Sequence, residues 1–550
     1  MKRIIECVPN FSEGNDLNII AQISSAIESA GVKLLNVDPG KATNRTVITF
    51  AGDVEEVVEA AFRAIKKASE LIDMRKHKGE HPRFGATDVC PFIPIANATM
   101  DDCIQCARML GERVGRELGI PVYLYEYAAS APHRKNLASV RAGEYEGIAD
   151  KITLPDWQPD YGPAQWNVNS GNIAIGARDI LIAYNVNLNT TSTRRANSVA
   201  FDVREQGRKV KNEKGEEVQQ PGTCKSVKGI GWYIAEYGIA QVSMNLTNIR
   251  ETPIHKAFDA CVTSAYQRGM RVTGSELVGL IPLQSMLDAG TYFLEKQQRS
   301  AGVSEAELIK IAVKSMGLDE LGPFKPEERI IEYLLREKNA SPLVGMTLSA
   351  FADETASESP APGGGSIAAY AGALGASLGT MVANLSSHKK GWDEQWQYFG
   401  EIAVKGQQLK AALLKLVDED TAAFNGIMSA FSLPKGSEAE KAVRKKAIQD
   451  ATKYAIEVPF RVMELSYDSM ALIRDMAERG NPNSVSDAGV GALCARAAVY
   501  GAFLNVKINA SGLDDKNFAS EKIAAGATIL AAANAAEKEI LKIVETKIGG

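Results

Sequence analysis

Strand patterns alternate with helix patterns for about 340 residues of this 550-residue chain, and then the strand patterns vanish. No single uniform fold accommodates that break. Segments of period 2 and segments of period 3.6 bury different kinds of face, so the two parts must build separate cores. The length agrees, because single cores stop growing at about 250–300 residues.

Before the break, Ile4–Val8 reads as a short strand and Leu17–Ala30 as a helix. Val32–Val37 and Arg45–Phe50 read as strands about a Pro39-Gly40 turn. Val54–Ile72 is amphipathic, and Val89–Ile95 and Val122–Tyr127 are strands flanking the helix Met100–Leu118. From Lys151 the pattern is lost. The run PDWQPDYGPAQWNVNSGN holds three prolines and two glycines, which predicts a long loop of the kind that is often functional. Regular patterns resume with strand Asp179–Leu188, helix Ser192–Arg204 and a hairpin of Ile230–Ala235 with Ala240–Leu246. Helix Ile254–Arg268, strand Val272–Leu280 and helix Leu283–Leu294 follow. This β-α-β-β-α-β order is the split βαβ pattern, and the first segment begins in the same order. Ser304 and Glu307 form a capping box for one more helix.

The expected fold class is therefore multidomain: two α/β, split βαβ-like subdomains (1–178 and 179–335), a polar Pro-terminated linker (336–343) and an all-α helical bundle domain (344–550). The bundle helices are predicted at Ser366–Ser386, Trp392–Leu433, Glu438–Arg479, Ser486–Ile508 and Phe518–Ile548. Gly372, Gly375 and Gly379 share one face of the first, which permits very close helix approach.

A net charge of −5 supplies no basic field, so nucleic acid and anionic membranes are not expected partners. The N-terminal apolar run is too short for a signal-peptide core. Ile367–Leu385 is the most membrane-like stretch, but it is rich in Gly, Ala and Ser and broken by Asn384, so it reads as a buried helix. Seven scattered cysteines argue against a disulfide framework and for a reducing, cytoplasmic location. Cys103 and Cys106 form a C-x-x-C inside a helical pattern, without a second pair to complete a zinc site, and read as core residues.

The five histidines are informative because they are few. His77 and His81 bracket HKGEH, formally the inverted zinc-peptidase motif, which requires both rings on one face of a helix. Gly79 inside the run and Pro82 after it argue instead for a loop. A loop histidine is suited to general acid–base work, with an ordinary pKa of about 6.5. We assign that role to His81 and loop bonding to His77, and read His133, His255 and His388 as structural or surface. A second signal is Asp418-Glu419-Asp420. Helical spacing places Asp420 on the apolar stripe between Val417 and Phe424 and turns Asp418 and Glu419 away from it. Desolvation and neighbouring acids would raise the pKa of such a carboxyl and fit it to donate a proton. Pairing with an Arg, or capping a neighbouring helix, explains it equally well. APGGGS, Ala361–Ser366, could cradle an anionic or carbonyl-rich ligand at a helix entrance, or simply be a tight entrance.

Several runs taken together resemble the formimidoyltransferase-cyclodeaminase family over nearly the whole chain. They are ECVPNFSEG, TNRTV, HKGEHPR, DVCPFIP, RAGEYE, GIGWY and ERIIEYL in the first part, with APGGGS and LVDED as looser counterparts in the second. The resemblance implies a bifunctional folate enzyme of histidine degradation. One half would transfer a formimidoyl group from N-formimidoyl-L-glutamate to tetrahydrofolate. The other would cyclise the product to 5,10-methenyltetrahydrofolate with release of ammonia. It implies that His81 and Asp420 are catalytic. It implies a folate-binding loop of Gly162, Pro163, Ala164, Gln165, Trp166, Asn167, Val168, Asn169, Ser170 and Gly171. The leading Gly162-Pro163 and closing Ser170-Gly171 follow the family, whereas Trp166 and Asn167 are this chain's own. Arg45 and Arg83 are candidates for the substrate carboxylates, since guanidinium binds them through paired hydrogen bonds. Tetrahydrofolate, with or without a polyglutamate tail, is the implied co-substrate. No metal is implied, and a homo-oligomer is. A methenyltetrahydrofolate cyclohydrolase-like or catalytically silent folate-holding helical half is the alternative.

Overall fold

The computed structural model describes residues 3–41, 43–79, 83–336 and 342–549. Two compact units result: Met1–Ala289 with Val313–Arg336, and Gly290–Ala312 with Glu337–Gly550.

In the first unit the chain runs β1 (Ile4–Cys7), β2 (Asn10–Phe11), α1 (Leu17–Glu28), β3 (Lys33–Gly40), β4 (Arg45–Gly52), α2 (Val54–Leu71), β5 (Thr87–Ala96), α3 (Met100–Leu118) and β6 (Val122–Glu126). Two short helices, α4 (Leu137–Arg141) and α5 (Ile148–Lys151), then lead to β7 (Ile173–Ala177). Asp53 and Thr99 open α2 and α3 with reciprocal capping boxes, which satisfy N–H groups that a helix start leaves orphaned. β1 and β2 both lie between β4 and β5, and β3 pairs on the far side of β4. That arrangement is the split βαβ sheet. β7 and then β6 extend it in parallel from β5.

Two expectations need correcting here. Pro39 and Gly40 are not a turn: they sit in β3, opposite Thr46 and Arg45. Proline is tolerated there because β3 is an edge strand with one paired side. And regular structure resumes earlier than expected: β7, a fully buried strand, follows the irregular run directly, before the strand expected from Asp179. Its short apolar run contains Gly176, which lies flat against the Tyr125 ring where a Cβ would collide.

The second sheet repeats the layout. It uses β8 (Ile182–Leu188), α6 (Thr193–Val203), an exposed charged hairpin of β9 (Arg208–Lys211) and β10 (Glu217–Gln220), β11 (Val227–Ile234), β12 (Ile239–Leu246), α7 (Ile254–Gln267) and β13 (Val272–Val278). The strand order β11-β12-β8-β13 is again split βαβ, with every neighbouring pair antiparallel. The β9–β10 hairpin has no apolar alternation to announce it, since it is held by pairing and not by burial.

α8 (Leu283–Lys296), α9 (Glu305–Met316), α10 (Pro326–Arg329) and α11 (Ile331–Leu335) follow. The end of α8 and the start of α9 belong with the helical unit, not with the second α/β subdomain. Gly302 is the reason: it lies directly on the backbone at Ala403, and its carbonyl accepts from Asn384 Nδ2 (2.7 Å) and Gln407 Nε2 (3.1 Å).

The second unit is helical throughout its described residues: α12 (Leu348–Thr355), α13 (Gly364–Ser387), α14 (Trp396–Phe431), α15 (Glu438–Arg479), α16 (Val485–Ser511) and α17 (Lys516–Gly549). α13 packs on α14, α15 and α16. Gly372, Gly375 and Gly379 lie against Ser466, Gly491 and Leu472, where a Cβ would meet an atom within 3 Å. Among the described residues two helices are long and apolar enough to cross a membrane, Gly364–Ser387 and Pro482–Ser511, yet half or more of each apolar window is buried inside the bundle. Cys103 and Cys106 are buried on α3, where desolvation pushes both thiols well above their ordinary pKa.

Candidate functional sites

In the first unit, motifs far apart in sequence converge on one rim of the seven-stranded sheet. Asn44 is the hub. It adopts φ of 47°, a left-handed conformation that Asn tolerates better than most residues. Its Oδ1 accepts from Gly14 N (3.0 Å), its Nδ2 donates to Lys78 O (2.8 Å), and its carbonyl lies 2.8 Å from His77 Nε2. His77 is therefore a loop-bonding residue, and burial holds its pKa below the ordinary value. Gly79 packs directly on Thr43 O, where no Cβ fits. His81 itself lies outside the described residues. On the other side of it in sequence, Ser12 Oγ donates to Gly85 O (2.7 Å), and Phe84 N donates to Asp88 Oδ1 (3.1 Å).

The predicted folate loop closes onto the same segment. Gly162 and Gly171 both have positive φ (82° and 68°) and press on backbone, Gly162 on Ile120 and Gly115 and Gly171 on Phe84 and Gly85. Both ends thus require glycine. Ala86 N donates to Ser170 O (2.8 Å) and Met74 N to Asn169 O (2.9 Å). Asn167 caps the turn, its Oδ1 accepting from Ser170 N at 3.0 Å. Between these anchors Pro163, Ala164 and Gln165 are exposed, and Val168 is largely so. Trp166 tilts against Tyr145, with ring centroids 5.5 Å apart. The Tyr145 hydroxyl donates to Val168 O, and burial raises its pKa.

Both candidate arginines have internal acidic neighbours. Arg83 pairs with Glu146, and its Cζ lies 5.8 Å from the Tyr145 ring centroid. Arg45 is half-buried and interacts electrostatically with Asp88, and burial lowers its pKa. Asp88 is 1% exposed and is ion-paired to Arg141. Desolvation pushes its carboxyl up against the pull of both arginines. Arg141, Tyr145, Asn44 and Asp88 were not singled out as site residues. All four stand in the quoted runs TNRTV, DVCPFIP and RAGEYE, which was the available signal.

The other three histidines lie apart from the 77–85 segment. His133 Nε2 meets Asp156 O at 3.0 Å with its ring edge-on to Trp157, and burial pushes buried His255 down to about 4. His388 ends α13.

In the second unit, Asp420 sits at the entrance of α13. Ser366 Oγ lies 3.1 Å from Asp420 Oδ2, 2.9 Å from Val417 O and 3.2 Å from Thr421 Oγ1. The Ser366 backbone also hydrogen-bonds the carboxyl. A serine has one proton to give. When Asp420 is ionised, that proton can point to its Oδ2. When Asp420 is protonated, it can donate to Ser366 Oγ while Ser366 donates to Val417 O. The site accepts either protonation state without breaking. Burial raises the Asp420 pKa, opposed by its bonds to Ser366. The expected apolar stripe does not continue past it: Phe424 and Met428 are 37% and 54% exposed, because beyond Val417 α14 buries only Ala423 and Ala430. Asp420 thus stands at a rim, part buried and part open. Its two neighbours have other work: Asp418 Oδ1 accepts from Leu343 N (2.8 Å), and Glu419 accepts from the Tyr454 hydroxyl.

Gly365 explains the glycine run. A Cβ there would collide with the Asp420 carboxyl. Gly365→Ala is expected to displace the Asp420 carboxyl, and if that carboxyl moves a proton in the unit's reaction, to slow the reaction about 10²-fold, the scale of a 1 Å misplacement. The melting temperature should change little, because the clash is with a side-chain tip. Thermal melts by circular dichroism alongside rates check both parts.

Loops, cations and an aromatic pair gathered on one α/β sheet, and a single carboxyl held at a helix entrance in a separate bundle, make two separate candidate sites. Family models cover both units. The formiminotransferase domain, N-terminal subdomain, matches residues 4–178, the formiminotransferase domain matches 183–336, and formiminotransferase-cyclodeaminase matches 347–527. Formimidoyltransferase-cyclodeaminase of Rattus norvegicus is 42% identical over 520 residues, 94% of each chain. Glutamate formimidoyltransferase of Streptococcus pyogenes is 42% identical across 54% of this chain and 94% of its own. Methenyltetrahydrofolate cyclohydrolase of Methylorubrum extorquens is 40% identical across 37% of this chain and 97% of its own. The chain belongs to the formimidoyltransferase-cyclodeaminase family.

Proposed function

We propose that the α/β unit moves a formimidoyl group from N-formimidoyl-L-glutamate to N5 of tetrahydrofolate, and that the helical unit closes the product to 5,10-methenyltetrahydrofolate and releases ammonia. In the first step N5 attacks the amidine carbon and loses a proton, and the glutamate nitrogen leaves and gains one. His81 serves as base and then acid. Supporting this, residues on either side of it in sequence, Gly79 and Phe84–Gly85, are tied to the Asn44 turn, to Ser12 and to the 162–171 loop. Folate binds along that loop, with Arg45 and Arg83 offering cations to carboxylates.

In the second step N10 attacks the carbon of the protonated amidine, a C–N10 bond forms, the bond to the terminal nitrogen breaks, and the N10 proton leaves with ammonia, the amidinium charge passing to the methenyl product. Asp420 carries that proton. The observation that supports the assignment best is the Asp420–Ser366–Val417 arrangement, which holds the carboxyl in either protonation state at the open rim of the bundle. Tetrahydrofolate is itself the one-carbon carrier, so the chemistry calls on no further cofactor. The same reading takes the enzyme as a cytoplasmic homo-oligomer; the free cysteines and the exposed Phe424, Met428 and Phe431 support it.

One assay tests both steps: N-formimidoyl-L-glutamate and tetrahydrofolate are supplied, and glutamate, ammonia and methenyltetrahydrofolate absorbance are followed together. All three should appear, glutamate first. The 40% identity to a cyclohydrolase favours a second reading, hydrolysis of methenyltetrahydrofolate by the helical unit. Glutamate release without ammonia, together with consumption of supplied methenyltetrahydrofolate, would select it.

A further inference from the structure

One helical turn from Asp420, ending at Val417, the bundle holds an apolar cavity of about 310 Å³ between α12, α13 and α14. Its walls include Phe351, Tyr370, Leu374, Leu414 and Val417, and its far end carries Lys410. The two helices lay it out in one direction. On α14, Lys410, Leu414, Val417 and Thr421 recur at helical spacing, and on α13 Ser377, Leu374, Tyr370 and Ser366 do the same. The cavity therefore runs from Lys410 and Ser377 to Val417 and Tyr370, each one helical turn from the pair Asp420 and Ser366. Ten residues of α14 separate Lys410 from Asp420, about 15 Å at 1.5 Å per residue. Phe351 and Tyr370 present two tilted rings with centroids 5.6 Å apart. Lys410 Nζ lies 2.5 Å from Gln407 Oε1 and forms no ion pair among the described residues. The far end is not closed, since Ser377 and Lys410 also border a second cavity of about 560 Å³.

We propose that this cavity binds the aminobenzoylglutamate arm of the folate during ring closure, with the benzoyl ring against Phe351, Tyr370 and Leu414 and the glutamate α-carboxylate on Lys410. The assignment rests on the reading that the helical unit closes 5-formimidoyltetrahydrofolate. Three features select the arm over the pterin. A pterin edge carries several donors and acceptors, whereas this cavity offers few polar groups. An aromatic ring ending in a carboxylate matches an apolar cavity ending in an ammonium. And the arm begins at N10, the atom that must lie next to Asp420.

The test uses the full-length enzyme and two substrates, 5-formimidoyltetrahydrofolate and its tetrahydropteroate analogue, which lacks the glutamate. Lys410→Gln should raise KM for the first about 10- to 100-fold, the scale of a hydrogen bond to a charged group, with kcat little changed. KM for the pteroate analogue should be the same in wild type and variant. Leu374→Trp should raise KM for both. Leu374 is 43% exposed, so the larger ring enters the cavity and not the core. An unchanged KM in Lys410→Gln, or an equal rise for both substrates, overturns the proposal. If wild type releases no ammonia from either substrate, it is the ring-closure reading that fails. Equilibrium dialysis with 5-formyltetrahydrofolate then decides the cavity. Two ligands per chain falling to one in Leu374→Trp keeps it, and an unchanged count removes it.

Discussion

Asp420→Asn is expected to lower ammonia release by about 10²–10⁴-fold, the usual contribution of a positioned acid or base, while glutamate release continues at the wild-type rate. The amide keeps the shape of the carboxyl and still reaches Ser366, so the bundle should stay folded. What it loses is the proton. The pH dependence gives a second readout. Burial raises the Asp420 pKa, so its acid form persists to higher pH than an ordinary carboxylic acid. If the acid form delivers the proton to ammonia, wild-type ring closure falls as pH rises through that raised value, and the variant's residual rate lacks this limb. The stability sign follows from the same shift. A carboxyl whose folded pKa is raised contributes stability below its unfolded pKa, and that contribution is lost as pH rises through the folded value. The Asn variant should therefore unfold no more easily than wild type at alkaline pH. Wild-type ammonia release in Asp420→Asn would remove Asp420 from the mechanism.

His81→Ala should lower glutamate release by about 10²–10⁴-fold on the same grounds. A single imidazole is asked to take the proton from N5 and return it to the departing nitrogen, and an ordinary histidine pKa of about 6.5 lets it do both near neutrality. Ring closure of separately supplied 5-formimidoyltetrahydrofolate should be untouched, because the two steps use different units. Loss of both activities in His81→Ala would mean a damaged fold, and a His81→Gln variant with a normal melting curve separates that from lost chemistry. Full glutamate release in both variants would move the acid–base role to another residue.

Much of the architecture was readable because it follows from local periodicity. The two split βαβ orders, the Ser304 cap that opens α9, and the helical half all came from spacing and cap chemistry. The misses share a cause. β7 is a buried parallel strand whose short run looks like the end of a loop, and the β9–β10 hairpin is exposed and charged. Neither is announced by one-sided burial. The edge-strand Pro39 read as a turn because sequence does not show which side of a strand goes unpaired.

The site divides in the same way. Residue type and neighbours alone marked His81 in a Gly- and Pro-punctuated loop, Asp420 on an apolar stripe, and a long irregular run after Lys151, within which the family resemblance singled out 162–171. Their surroundings were decided only in three dimensions. Asn44 ties Gly14 to the 77–78 segment, Asp88 joins Arg141 and Arg45, and Gly365 makes room for a carboxyl 55 residues further along the chain. Even the exposure of Phe424 and Met428 reversed the burial that spacing predicts. The physical reason is range. Periodicity, caps and turns are set by atoms within a few residues of each other. Burial, charge pairing and the pKa of Asp420 are set by whatever the fold brings alongside, and the sequence carries no local record of that.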